Sequence, residues 1–176
     1  TICDLAIVCR KEMRGVLAVF FWYVLLSAIL TIISYGLWLN QKNNLLVINF
    51  NTLAELVLLT TMFAFAFEKI IRWFVIVSGS AALIFGIFNL DIQGIYQFNG
   101  HTKAVESVIV FLFTVLYFRK LLLLPDKQPL RTLPMFWINS GLLIYFAAGL
   151  FLFALGNSVI NMPNAVSRLI WSMDML

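Results

Sequence analysis

Two carboxylates, Glu55 and Glu106, interrupt long apolar stretches of this sequence and are its best candidates for chemistry. A carboxylate in such a stretch can carry a proton or bind a ligand or ion. Placing a charge in hydrocarbon costs roughly 2.5–3.5 kcal/mol on insertion scales, so such a group faces protein or water. Glu55 lies about ten residues into its stretch, or roughly 15 Å along a helix. Glu106 lies within a turn of the start of its own stretch.

Asparagines add polar groups that we expect near these carboxylates. Asn51 precedes Glu55 by four residues and shares its helix face. Asn139 and Asn157 are 18 residues apart, about five helical turns, so both lie on one stripe. One hypothesis is that Glu55, Asn51, Glu106 and Asn157 converge on a polar, ligand-binding cavity that opens to the outside. The alternative is that these groups form hydrogen bonds between helices, typically worth about 0.6 kcal/mol each.

Other reactive residues are few and isolated. Cys3 and Cys9 are the two cysteines and have no histidine nearby, so we expect inert thiols. His101 is the sole histidine and lies in a polar, turn-rich segment, which indicates a solvated residue. The sequence contains no phosphate-binding loop, HExxH, GxSxG or dinucleotide motif. We therefore predict no catalytic residue, no metal site and no cofactor.

The composition is typical of a membrane protein. Apolar residues make up 62% of the 176 positions and charged residues 11%, against roughly 45–50% and about 25% in soluble domains. A soluble chain of this length needs more polar groups to cover its surface. The net charge of +4 comes from short basic clusters between apolar runs. Such clusters indicate membrane topology and argue against a nucleic-acid partner.

The predicted fold is all-α, a polytopic transmembrane helical bundle that forms one domain over residues 1–176. About 20 apolar residues cross a bilayer, and this length divides the chain into five complete spans and two truncated ones, seven in total. The predicted spans are 1–9 (partial), 15–39, 45–67, 70–90, 103–124, 134–160 and 167–176 (partial). We expect both ends of the sequence to lie inside helices.

Lysine and arginine predict the orientation of these spans, because cytoplasmic loops carry an excess of both. Nine of the 12 lie in alternate loops or at their helix ends, against three in the others. The nine are Arg10, Lys11, Arg14, Lys69, Arg72, Arg119, Lys120, Lys127 and Arg131. The three are Lys42, Lys103 and Arg168. This bias predicts an N-terminus outside and a C-terminus in the cytoplasm.

Small residues predict where the helices pack, because close backbone approach drives helix association in lipid. Ser78, Ala82 and Gly86 recur at every fourth position of one predicted span. Gly141 and Ala148 form a second ridge in the span 134–160. We expect both sets to be packing surfaces.

Three stretches carry a resemblance to a known group of proteins. They are LAELVLL (53–59), IYQFNGHTKAVESVIVFLFTVLYFRKLL (95–122) and PMFWINSGLLIYFAAGLFLFALGN (134–157). The chain resembles a family of uncharacterised seven-helix small integral membrane proteins of Bacteroidetes. That resemblance implies a bacterial inner membrane protein and a signalling context beside sensor kinases. It supplies no catalytic residue, and residues 147–149 read Ala-Ala-Gly where the family has a polar run.

These observations predict a non-enzymatic integral membrane protein. It would act as a receptor-like or accessory module, or as a subunit of a larger membrane complex. Its expected partners are the lipid bilayer and a protein, either a sensor kinase or that complex. The alternative function is a small-solute or proton transporter, with Glu55 as the proton carrier and Glu106 as its outer relay.

Overall fold

The computed structural model describes residues 2–97, 99–123 and 133–154, and side chains from residue 14 to residue 150 within these ranges. Over these ranges the chain forms five α-helices joined by short connections. They are α1 (Ile2–Leu39), α2 (Leu45–Ala66), α3 (Lys69–Gln93), α4 (Gly100–Leu123) and α5 (Pro134–Ala154). The predicted all-α class is confirmed.

Three helices in the described ranges are long and apolar enough to cross a membrane. They are the segments Arg14–Leu39, Leu45–Ala66 and Lys69–Gln93. Their outer surfaces carry large apolar side chains such as Ile32 and Ile70, which are 70% and 84% exposed. Apolar side chains exposed on this scale are suited to lipid, because hydrocarbon does not penalise them as water does. Three of the predicted spans, 15–39, 45–67 and 70–90, correspond to these helices.

The other two complete spans predicted from sequence are not among these three. The predicted span 103–124 corresponds to α4, which has charged residues near both ends, including Glu106 and Arg119. The predicted span 134–160 corresponds to α5, whose apolar part is the shorter segment Pro134–Leu150. Residues 155–160, and the truncated span predicted at 167–176, lie outside the described residues.

The first predicted span, residues 1–9, is not a separate helix. It forms the beginning of α1, which continues through residues 10–14 without a break. Those residues read RKEMR and include no proline, and Arg, Lys, Glu and Met all have high helix propensity. A helix of 38 residues is about 57 Å long, about twice the hydrocarbon thickness. The prediction of a reversal before residue 15, with residues 1–9 crossing to the outside, is therefore wrong.

The chain divides into two compact units where one domain is predicted. The first unit is Thr1–Thr102 and the second is Lys103–Leu176. The division falls inside the first turn of α4, because the start of that helix is bonded to the loop that precedes it. Thr102 N–H donates to Asn99 Oδ1 at 3.2 Å, which caps the N-terminus of α4.

In the first unit, α2 packs against both α1 and α3. The turn 40–44 joins α1 to α2, and Phe67 and Glu68 join α2 to α3. One side of α2 is buried over its whole length, at Asn49, Thr52, Glu55, Leu56, Leu59, Met62 and Phe63. The buried residues of α3 are Val75, Gly79, Ala82 and Gly86. Spacings of three and four residues keep each set on one helix face.

In the second unit, aromatic and polar contacts join α4 to α5. The rings of Phe118 and Phe136 meet edge to face, with centroids 5.9 Å apart. Pro134 is the first residue of α5, a position where its missing N–H leaves no hydrogen bond unmade. The buried side of α5 is formed by Met135, Asn139, Leu142 and Phe146, which again recur at intervals of three and four.

Candidate functional site

Glu55 forms a polar contact between two helices of the first unit. Its side chain is 3% exposed, on the buried face of α2. Ser27 Oγ on α1 donates a hydrogen bond to Glu55 Oε1 at 3.1 Å. Of the two surroundings predicted for Glu55, protein or water, the structure shows protein. Ser27 could not be predicted, because a serine in an apolar span 28 residues away carries no spacing signal.

Asn51 lies one turn before Glu55 on α2 and is half-buried. Its Oδ1 atom is buried and accepts no hydrogen bond from any residue that the structure describes. An amide oxygen without a donor is available to a ligand, a water molecule or a further part of the chain. Asn51 and Glu55 are two of the four predicted pocket residues, and both lie on α2 in the first unit.

Glu106 lies in the second unit and has a cation close by. The residue is 0% exposed, and Lys103 Nζ lies 2.9 Å from Glu106 Oε2. The Lys103 side chain is itself only 14% exposed, so the pair is largely shielded from solvent. From its sequence position, Lys103 was predicted only to mark one side of the membrane. The i,i+3 spacing of the two residues on a helix is the signal that predicts such a pair.

The four residues predicted to converge are distributed over different parts of the chain. Asn51 and Glu55 belong to the first unit and Glu106 to the second. Asn157 lies outside the described residues. The outward-opening pocket formed by these four residues stays a prediction.

Asparagine side chains hold the loop between α3 and α4, a feature that the sequence analysis did not identify. Asn49 Nδ2 on α2 donates to the carbonyl oxygens of Ile95 and Gln97, both at 3.0 Å. Asn43 Nδ2 donates to Tyr96 O at 3.3 Å. Loop carbonyls that would otherwise need water thus obtain donors from the chain itself.

The same loop is bonded to the end of α3. Asn89 Nδ2 donates to Asn99 Oδ1 and, at 3.3 Å, to Thr102 Oγ1. Gly94 ends α3 with φ of +90°, a conformation that side chains with a Cβ rarely adopt. The gap bordered by Asn49, Asn99 and Thr102 has no room for a water molecule. The cluster of Asn43, Asn49, Asn89 and Asn99 therefore organises a loop and offers no pocket.

The predicted packing residues of α3 are partly correct. Ala82 and Gly86 are buried, and a Cβ on Gly86 would lie 2.8 Å from Leu53 Cδ2. Ser78 is half-buried and donates its hydroxyl to Phe74 O of its own helix. The small residue at the helix contact is Gly79 and not Ser78, because a Cβ on Gly79 would overlap the side chain of Thr60. The close approach of α2 and α3 thus occurs one residue further along.

The predicted packing residues of α5 lie on its exposed side. Gly141 and Ala148 are both exposed, and a Cβ on Gly141 would have no neighbour within 4 Å among the described residues. The buried side of α5 instead includes Asn139, whose Nδ2 donates to Thr114 O on α4 at 2.9 Å. Gly141 and Ala148 are exposed among the described residues, so their role as a packing surface stays a prediction.

Over the residues that the structure describes, no three His, Cys, Asp or Glu side chains form a group that could hold a metal ion. Comparison of the chain with protein-family models, curated proteins and solved structures finds no match in any of the three. The resemblance to a Bacteroidetes membrane family stays a prediction. What the structure defines is an all-α protein with three helices suited to crossing a membrane.

Proposed function

We propose that this chain is a non-enzymatic integral membrane protein that acts as an accessory subunit or receptor-like module within a larger membrane complex. Its buried polar groups join parts of the chain to one another, as Glu55 and Ser27 join α2 to α1. Asn139 and the carbonyl of Thr114 join α5 to α4. Polar side chains used in this way support a structural role better than a catalytic one.

The observation that carries the proposal is the small-residue surface formed by Gly141 and Ala148 on α5. Small residues matter in membranes because they let two helix backbones approach closely. Both residues are exposed, and a Cβ on Gly141 would meet no other described residue within 4 Å. Trp137, which is 60% exposed one turn before Gly141, adds a large side chain that a second helix can contact. This surface is suited to a helix of another protein.

The finer topology is part of the same proposal. With α1 counted as one span, the five described helices are proposed to be five spans, and the truncated span predicted at 167–176 lies outside the described residues. The basic residues Arg14, Lys69 and Arg72 would mark cytoplasmic helix ends, and the C-terminus would also be cytoplasmic. We propose the bacterial inner membrane as the location, and a sensor kinase or larger membrane complex as the partner.

The test compares two substitutions at Gly141. Open space at this position lets the isolated chain accept a side chain, whereas a close helix contact would accept alanine and reject leucine. We expect a protein of fixed stoichiometry to copurify in mild detergent with wild type and Gly141→Ala, and to be lost with Gly141→Leu. Native mass spectrometry measures the stoichiometry. A chain that is monomeric in all three forms, or a companion retained by Gly141→Leu, would contradict the proposal.

A second candidate function is proton or small-solute transport through Glu55 and Glu106. The observation that favours it is that both carboxylates are removed from solvent, at 3% and 0% exposure. Proton flux into liposomes, followed with an enclosed pH-sensitive dye, tests this candidate. If Glu55 carries the proton, Glu55→Gln should lower the proton flux to that of protein-free liposomes. Equal flux in wild type and Glu55→Gln would remove the candidate.

A further inference from the structure

A groove runs between α2 and α3 on the outer surface of the first unit. Its volume is about 390 Å³, within the range of sites that bind small molecules. Its lining includes three small residues, Ala64, Gly79 and Ser80, and the side chains of Ala64 and Ser80 leave space that larger ones would fill. Its remaining lining is mostly apolar and comprises Leu56, Val57, Thr60, Thr61, Phe65, Arg72, Ile76 and Leu83.

The groove has the length of one leaflet of a bilayer. On α3 it extends from Arg72 to Leu83, which is about 16 Å at 1.5 Å per residue. Half of the hydrocarbon core is about 15 Å thick. Arg72 lies near the N-terminus of α3, so the groove begins at the end of a candidate span and reaches its middle. An acyl chain that enters from the membrane surface has this reach.

One end of the groove is cationic and the other is apolar. Arg72 is half-buried, and its Nε donates to Phe67 O at 3.0 Å, which holds the guanidinium at the junction of α2 and α3. Lys69, one turn earlier, is exposed and adds positive charge at the same helix end. The acidic residue nearby in sequence is Glu68, which is also exposed. An arginine beside a groove for hydrocarbon matches the phosphate and acyl chain of a phospholipid.

We propose that the groove between α2 and α3 binds one acyl chain of an anionic phospholipid, with its phosphate held by Arg72. The inference rests on membrane insertion of α2 and α3, and is independent of the partner surface on α5. Thr60 contributes a further polar group at the middle of the groove, since its buried hydroxyl has no hydrogen-bond partner among the described residues. The lipid belongs to the leaflet that borders Lys69 and Arg72, which is the cytoplasmic leaflet if basic residues mark that side.

The test measures lipids retained by the purified full chain. The probes are phosphatidylglycerol and phosphatidylcholine of the same acyl length, added in detergent and counted by native mass spectrometry. We expect tighter binding of phosphatidylglycerol. Arg72→Gln should weaken it about fivefold, the factor that corresponds to about 1 kcal/mol per basic residue. The exposed neighbour Lys69, which does not line the groove, supplies the control substitution Lys69→Gln, with a smaller effect.

A second pair of variants tests the acyl chain. Ser80 lines the groove, whereas Ala81 is exposed outside it. Ser80→Leu should lower retention of both lipids, and Ala81→Leu should leave it unchanged. Equal affinity for the two lipids, no effect of Arg72→Gln, or no effect of Ser80→Leu would each overturn the proposal. A lipid-free dimer that Ser80→Leu dissociates would instead assign the groove to a second copy of the chain.

Discussion

Glu55 and Glu106 are carboxylates removed from solvent, and each has a different kind of partner. Glu55 accepts a hydrogen bond from the neutral hydroxyl of Ser27, whereas Glu106 lies beside the ammonium of Lys103. A hydroxyl contact between membrane helices contributes about 0.6 kcal/mol on average. In an ion pair shielded from solvent, the attraction between the charges and the opposing cost of removing them from water are both larger than this. The two residues should therefore respond differently to loss of their partners.

We predict that Lys103→Met destabilises the chain more than the double substitution Lys103→Met with Glu106→Gln. The single change leaves a carboxylate that is 0% exposed without its cation, and breaking a buried pair costs about 3–5 kcal/mol. The double change removes both charges and restores much of the loss. Chemical denaturation in detergent, followed by circular dichroism, measures the free energies of unfolding. Equal values for the two variants would show that the pair is not coupled.

Packing of the helices depends on which small residues meet a neighbour. Gly79 on α3 is buried, and a Cβ there would overlap atoms of Thr60 on α2. Gly141 on α5 faces open space. Both are glycines in apolar helices, and nothing local to either position distinguishes them. Only the approach of a second helix gives Gly79 its packing role.

We predict opposite effects for alanine at these two glycines. Gly79→Ala should destabilise the chain by about 1–3 kcal/mol, the usual cost of forcing extra volume into a packed contact. Gly141→Ala should be neutral or stabilising by up to about 1 kcal/mol, because alanine has the higher helix propensity. The free energy of unfolding in detergent is again the measurement, with each variant serving as the control for the other. A loss of stability with Gly141→Ala would contradict open space at this position.

At the scale of the whole molecule, three apolar helices and basic helix ends together predict how the chain is inserted. The turn that contains Lys42 and the connection that contains Glu68 lie at opposite ends of α2. Because α2 is 22 residues long, or about 33 Å, these two connections should lie on opposite sides of a bilayer. The excess of lysine and arginine predicts that Glu68 lies on the cytoplasmic side.

We predict that single cysteines at Gln41 and Glu68 are labelled from opposite sides of the membrane. In a background with Cys3 and Cys9 changed to serine, Gln41→Cys should react with a membrane-impermeant maleimide in intact bacterial spheroplasts. Glu68→Cys should react only after permeabilisation. Both positions are exposed, so access to solvent does not limit either reaction. Labelling of both in intact spheroplasts would contradict a transmembrane α2.

Composition and the length of apolar runs determined the helical class and the positions of three candidate spans. This works because a backbone in lipid must satisfy its own hydrogen bonds, and a helix of about 20 apolar residues does so. Burial of Glu55 followed from the cost of placing a charge in hydrocarbon. The full burial of Glu106, which lies near the start of its helix, did not follow from that argument. The other properties depend on the local sequence, which is why they could be predicted.

Tertiary structure decided what the sequence left open, namely the partner of each buried group and the face on which each helix packs. Ser27 reaches Glu55 only because α1 and α2 pack together. On α3, neighbouring residues point about 100° apart, so the choice of Gly79 over Ser78 depends on where α2 lies. The continuity of α1 through its charged residues is, by contrast, a local property that follows from helix propensity, which an argument from apolar runs does not consider.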